Sequence, residues 1–227
     1  MSAKAAVICV DGPSGVGKGT LSRSLASRLG WQLLDSGALY RTVGFACRER
    51  GVALDDEHGA QAVANTLSVR FEPSPEGILV ILDGRDITAS IRTEEGGHGA
   101  SAVAAMPAVR QALLGRQRGM ASPPGLVADG RDMGTVVFPE AKLKLFLTAS
   151  AEARAERRFR QLQPTDDSVS LARLLEAIEQ RDARDQARSA SPLVPASDAV
   201  VIDSTVLSAE DVLTEAWELV VARGIAA

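Results

Sequence analysis

The chain has 227 residues, 45% hydrophobic and 24% charged, with a formal net charge of -4. That length suits one large domain or a core with a sizeable insertion, and the composition is that of an ordinary globular protein. The acidic balance excludes a global basic field for DNA or RNA, so any polyanion-binding surface must be local.

No apolar run approaches the roughly 20 residues of a membrane span. The stretch MSAKAAVICVDG turns polar too soon for a signal peptide, and a cytoplasmic location is expected. Cys9 and Cys47 read as buried free thiols of a reducing compartment. His58 and His98 stand apart, so no Cys/His cluster has the spacing of a zinc site.

In chain order, AVICV (6–10) reads as a fully buried strand, followed by the loop GPSGVGKGT and a helix over about 18–29. Gly12, Gly15 and Gly17 let the backbone turn sharply and bring its N–H groups close to a polyanion. The helix beginning there adds the positive end of its dipole, and Lys18 can reach terminal phosphate oxygens. Gly12, Pro13, Ser14, Gly15, Val16, Gly17, Lys18, Gly19 and Thr20 are therefore the expected phosphate cradle. The hydroxyl that normally follows the lysine and binds magnesium is displaced, with Gly19 in its place and Thr20 one residue late. Magnesium is accordingly expected to be held mainly by phosphates and water.

WQLLDSG (31–37) predicts a short strand and turn, and GALYRTVGFACRERG (37–51) an amphipathic helix with Leu39, Val43 and Ala46 on one face, ending at Gly51. This region offers Ser36, Tyr40 and Arg41. Tyr40 reads either as core or as a ligand contact, and Arg41 as an anion contact. Residues 67–88 alternate apolar and polar around Pro- and Gly-bearing turns, the signal of antiparallel hairpins inserted in an α/β core.

GLVADG (125–130), LKLFL (143–147) and AVVID (199–203) are further short apolar runs. Helical patterns over about 150–162, 168–188 and 208–223 separate or follow them, and SASPLVPAS (189–197) reads as a loop. The series argues for a parallel, doubly wound sheet. DGRD occurs twice. At 83–86 its flanks make it a hairpin turn. At 129–132 it follows a buried strand, at the sheet edge that faces the ligand crevice, where an aspartate can orient magnesium-bound water or substrate and an arginine can neutralise phosphate.

Arg181, Asp185 and Arg188 share one helix face by spacing. Taken alone they read as a solvated ion-pair ladder. Arg154, Arg157, Arg158 and Arg160 crowd one helix after a core strand, either as surface charge or as a mobile lid over the transferring phosphoryl group.

The segments DGPSGVGKGTL, LLDSGALYR, IRTEE, VADGRDMGTVVFPEAKLKLFLTAS, RDARDQARSASPLVPASDAVVIDST and LSAEDV together resemble the bacterial cytidylate kinases of the nucleoside monophosphate kinase group, almost end to end. The resemblance implies a P-loop kinase fold: a five-stranded parallel sheet flanked by helices, a small antiparallel β insertion and a helical lid. It divides the chain into a core (1–34, 104–149 and 163–227), a monophosphate-binding domain (35–103, with the insertion at about 60–100) and a lid (150–162).

It further implies phosphorylation of CMP and dCMP by ATP with magnesium. Charge balance and the absence of a spanning run predict no nucleic-acid or membrane partner, and the absence of a long exposed apolar heptad predicts a monomer. Ser36, Tyr40, Arg41 and Arg131 would hold the acceptor nucleotide, Ser101, Arg110, Asp132 and Arg188 its cytosine, and Arg181 and Asp185 its sugar. Lys18, Asp129, Arg131, Arg157, Arg158 and Arg188 would be the catalytic set. The glycine-rich GGHG (96–99) predicts a loose start to the helix bearing Ser101. A kinase for another monophosphate, such as UMP, and a nucleotide-dependent switch are the alternative readings.

Overall fold

The computed structural model describes residues 5–74, 77–163, 169–188 and 191–226. In chain order its elements are β1 (Ala6–Asp11), α1 (Lys18–Leu29), β2 (Gln32–Asp35), α2 (Ser36–Glu49), α3 (Glu57–Asn65), β3 (Val69–Ser74), β4 (Gly77–Leu82), β5 (Arg85–Asp86), α4 (Thr88–Ile91), α5 (Glu94–Ala104), α6 (Pro107–Gly119), β6 (Gly125–Asp129), a π-helical turn (Met133–Val137), β7 (Leu143–Thr148), α7 (Ala151–Leu162), α8 (Leu171–Gln186), β8 (Val200–Asp203) and α9 (Ala209–Ala222). Ser168, Ser189 and Ala190, which begin the predicted 168–188 helix and 189–197 loop, lie outside the described residues, as do residues 75 and 76 of the predicted hairpin. No helix among the described residues is long and apolar enough to cross a membrane.

The chain divides into two units, residues 1–34 with 120–227, and residues 35–119. The first is built on the predicted five-stranded sheet, in the order β2-β6-β1-β7-β8. β1 is central and pairs in parallel with both neighbours, with Ile8 opposite Val127 on one side and Leu143 on the other. Covered on both faces, β1 shows no apolar–polar alternation: Ile8, Cys9 and Val10 are all fully buried. Leu21 and Leu25 of α1 and Val212, Ala216 and Val220 of α9 pack in the same core. The Arg28 guanidinium lies 3.7 Å over the Trp217 ring and joins those two helices.

The second unit carries the predicted antiparallel sheet, β3-β4-β5. Asp83 and Gly84, with φ of 49° and 81°, form the two-residue left-handed turn between β4 and β5. Helices α2, α5 and α6 supply Leu39, Val43, Val103 and Leu113 to one core. The Ser36-Gly37 pair, expected in a turn, is instead the first turn of α2, because Asp35 ends β2 and caps that helix at once, its Oδ1 accepting the Ala38 N–H at 2.8 Å.

The unit also runs to Gly119, past the expected boundary at 103. Val109 and Leu113 of α6 are buried in its core, and Arg116 donates to the Leu67 carbonyl at 2.7 Å.

The expectation of a loose glycine-rich start before Ser101 is corrected. α5 runs unbroken from Glu94, with Thr93 capping it through the Gly96 N–H at 3.0 Å. A Cβ on Gly96 would stand 2.3 Å from the Ile91 carbonyl oxygen, and one on Gly44 would stand 2.9 Å from the Gly99 carbonyl carbon. The glycines are there because backbones meet backbones, and this close packing offsets the low helix propensity of the segment.

Candidate active site

The phosphate loop lies between β1 and α1, as the sequence predicts. Gly12, at φ 143°, leaves β1 beneath the backbone of β7, where a Cβ would stand 2.1 Å from the Leu147 carbonyl oxygen. No other residue fits there. Gly17 caps α1 without a side chain, and no acidic residue occupies the first helical turn, so the positive end of the helix is open to an anion.

Lys18 is only 6% exposed and donates from Nζ to the Pro13 carbonyl at 2.7 Å. Burial lowers its pKa to about 7; Arg131 adds to the fall, while Asp129 and Asp11 oppose it. An arriving polyphosphate would restore its charge.

The carboxyl end of β6 supplies the second half. A Cβ placed on Gly19 would meet Arg23 Nη1 at 3.4 Å and Asp129 Oδ2 at 3.6 Å, so the Asp129 carboxylate faces the residue that replaces the usual hydroxyl. Arg131 donates from Nε to Asp185 Oδ2 at 3.1 Å, and Arg188 donates to Asp185 Oδ1.

Asp185 is 1% exposed. Burial opposes its ionisation, but Arg131 and Arg188, with a smaller contribution from Arg181, outweigh burial and hold its carboxyl below the usual carboxylate range. The solvated ladder that spacing alone suggested is therefore excluded at Asp185. Arg188 lies beyond the end of α8, after the Ala187 cap, and reaches Asp185 from there. Asp132 is 2% exposed at the start of the π-helical turn, an element the sequence reading did not contain.

Arg157 of α7 donates to the Ser204 hydroxyl at 3.2 Å and also to the Ser204 carbonyl, while Ser204 Oγ donates to the Val16 carbonyl at 3.1 Å. Arg157 is thereby linked to the loop itself. Arg158, half-buried, lies on the same helix.

The sequence reads Arg154 only as one of four arginines crowding α7, as surface charge or lid. It is buried, pairs with Asp182 on α8 at 2.5 Å, and donates to the Ser14 carbonyl at 3.2 Å. Asp11 was passed over. Its signal was an aspartate closing an otherwise apolar strand, immediately before the first glycine of the loop.

In the second unit, Ser36 is buried and its hydroxyl accepts from Gln117 Nε2 at 3.3 Å. Tyr40 is buried, with the Arg110 guanidinium 5.8 Å from its ring centroid, so core packing and a polar neighbour coexist there. Arg110 also donates to the Ala104 carbonyl at 3.2 Å, one helical turn after the buried Ser101. Arg41 donates from Nη1 to the carbonyls of Ile91 and Thr93, at 2.8 and 2.9 Å.

A strand–loop–helix phosphate cradle, with Asp129 and Arg131 at the carboxyl end of the neighbouring strand and Arg131 paired with the buried Asp185 of α8, is the arrangement of a phosphotransferase. The family profile described as cytidylate kinase matches residues 8–222. The chain belongs to the cytidylate kinase family.

A cytidylate kinase of Pseudomonas fluorescens (strain SBW25) is 56% identical over 228 residues, covering 100% of each chain. One of Stutzerimonas stutzeri (strain A1501) is 54% identical over 222 residues, covering 97% of each. Among solved structures, an uncharacterized protein from Eubacterium ventriosum aligns over 96% of this chain and 99% of its own, with a TM-score of 0.52 at 12% identity, a likeness of fold alone.

Proposed function

We propose that the protein transfers the terminal phosphoryl group of ATP to CMP and dCMP, yielding CDP and dCDP, by direct in-line displacement. The carrying observation is that β1 and β6 are adjacent strands, that β1 leads into the phosphate loop with Lys18, and that β6 leads into Asp129, whose Oδ2 lies 3.6 Å from where a Gly19 Cβ would be, and Arg131, which is paired with Asp185. In this reading one unit carries two anion sites, where a nucleotide switch needs one.

In this reading the loop of residues 12–20 holds the donor phosphates through its N–H groups and Lys18. An acceptor phosphate oxygen attacks the terminal phosphorus as the bridging bond to ADP breaks. That oxygen is already ionised at neutral pH, so no strong base is required. Lys18, Arg131 and Arg188 stabilise charge on the transferred group, joined by Arg157 and Arg158 as α7 closes and excludes water.

Residues Ser36, Tyr40, Arg41, Ser101 and Arg110 contribute to binding CMP. Asp132 accepts from the cytosine amine and would repel the uracil carbonyl, while Arg188 serves the acceptor edge of the base. Arg181 and Asp185 serve the sugar hydroxyls.

Among the described residues no group of three or more His, Cys, Asp or Glu side chains could hold a metal ion. The single carboxylate of Asp129 opposite Gly19 fits magnesium carried on phosphates and water, with Asp129 orienting a water. Bound there, magnesium would neutralise phosphate charge. The reaction draws on nucleotide pools, which fits a cytoplasmic location.

A panel of CMP, dCMP, UMP, AMP and GMP with ATP tests the reading. CMP and dCMP should give the highest kcat/KM. Preference for another monophosphate would reassign the substrate, and ATP binding without transfer to any of them would favour a switch.

A further inference from the structure

The Asp11 carboxylate closes β1 and lies 6% exposed. Its Oδ1 accepts the Met133 N–H at 2.9 Å and its Oδ2 accepts the Gly134 N–H at 2.8 Å. These are the first two N–H groups of the π-helical turn, which that turn cannot satisfy internally. One residue earlier on β1, the Val10 carbonyl accepts the Gly130 N–H at 3.0 Å. The end of β1 therefore grips residues 130 and 133–134 on both sides of Arg131 and Asp132.

Asp132 holds the N-cap position of the turn, where an aspartate would ordinarily cap with its own side chain, and it makes no such bond. Asp11 supplies that anion from another strand. Lys144 closes the arrangement from below: it is buried, donates to the Pro139 carbonyl at 2.7 Å, pairs with Asp198 at 2.8 Å, and its Cδ lies 3.0 Å from where a Gly134 Cβ would be. On its other side Asp11 adjoins Gly12, the first residue of the phosphate loop.

We infer that Asp11 is a positioning residue for the acceptor nucleotide, setting Arg131 and Asp132 in place relative to the phosphate loop by substituting for the cap that Asp132 does not make. A carboxylate is required because both acceptors must point at N–H donors; a carboxamide would present an NH2 group to one of them. Burial pushes the Asp11 carboxyl up to about 6, with the Gly134 and Met133 amides opposing the rise, so the anion is retained at a cost in solvation. The inference rests on the assignment of Arg131 and Asp132 to the acceptor.

The test uses the full chain with Asp11→Asn, Asp11→Ser, Arg131→Ala, Asp132→Ala and the double variant Asp11→Asn/Asp132→Ala, assayed with ATP, CMP and UMP and checked for folding by thermal unfolding. Asp11→Asn should lower kcat/KM for CMP by roughly 10- to 100-fold and reduce the CMP/UMP ratio. The KM for ATP should change less than the KM for CMP, since Asp11 bonds residues 133 and 134 directly and reaches Lys18 only through its charge. The double variant should show no further loss of base preference beyond Asp132→Ala, because Asp11 acts through that residue.

If Arg131→Ala and Asp132→Ala alter CMP kinetics while folded Asp11 variants keep the wild-type KM for CMP and base ratio, the positioning role is overturned and the acceptor assignment stands. If none of the variants alters them, both are overturned. Failure of both Asp11→Asn and Asp11→Ser to fold would make Asp11 a residue of the fold and would overturn the positioning role.

Discussion

Arg131 donates from Nε to Oδ2 of Asp185 at 3.1 Å, joining the segment after β6 to the last turn of α8 across 54 positions of sequence. Asp185 is almost fully buried and also receives Arg188, so its carboxylate bridges two guanidinium groups.

Removing that carboxylate takes away a buried counter-charge that two arginines share. Asp185→Ala should lower unfolding free energy by about 3 kcal/mol, read by denaturant titration. Asp185→Asn should recover part of this, since one oxygen can still accept from one arginine. The pH dependence has a definite sign. The folded-state pKa is depressed, so this contribution is present above the unfolded carboxyl value of 3.8 and fades as pH falls through the lower folded value. An acid titration of stability should therefore be shallower in the Asn variant.

Lys18 behaves in the opposite sense. In the nucleotide-free protein its pKa lies near 7 against an ordinary 10.5, so the folded state holds fewer protons than the unfolded chain between those values. Its burden on stability is full below about 7 and is relieved as pH rises toward 10.5. A polyphosphate raises that pKa again, so ATP binding at about pH 8 should take up close to one proton and at about pH 6 close to none. Calorimetry in two buffers of different ionisation enthalpy reads this directly, and Lys18→Ala should abolish the difference. The same variant should lose roughly three or more orders of magnitude in kcat.

Gly44→Ala tests helix packing in the 35–119 unit. Helix propensity alone would favour alanine by about 1 kcal/mol. The added Cβ would stand 2.9 Å from the backbone of Gly99, so a loss of roughly 1–3 kcal/mol in thermal unfolding is expected instead. Gly99→Ala, whose Cβ would meet Gly44 Cα at 3.6 Å, should be markedly milder.

Asp132→Ala should reduce the preference for CMP over UMP by roughly tenfold or more, measured as the ratio of kcat/KM values. Unchanged preference in a folded variant would move base recognition to other residues.

The elements that bear the site were legible in the chain because their signals are local. A fully apolar strand, a glycine-rich loop and a lysine opening a helix lie within one window of about 25 residues, and the helix bounds of 18–29 appear in the structure unchanged. The second DGRD was likewise separated from the first by its flanks alone. The shared family motifs carried the rest of that reading.

What spacing could not settle were pairings between distant segments. Asp185 looked like surface charge because a helix face does not say what packs on it. Gly96 and Gly99 looked like looseness because the backbones that crowd them, at Ile91 and Gly44, come from other helices. Asp11 looked like the end of a strand, since its partners, the amides of Met133 and Gly134, lie more than 120 positions away. The sequence by itself determined the strands of the five-stranded sheet, the phosphate loop, the antiparallel hairpin and the helices α1, α2, α7, α8 and α9, because periodicity and turn chemistry act over a few residues. Only the tertiary structure decided which charges are buried and whom they meet, because desolvation and hydrogen bonding depend on what the fold brings alongside.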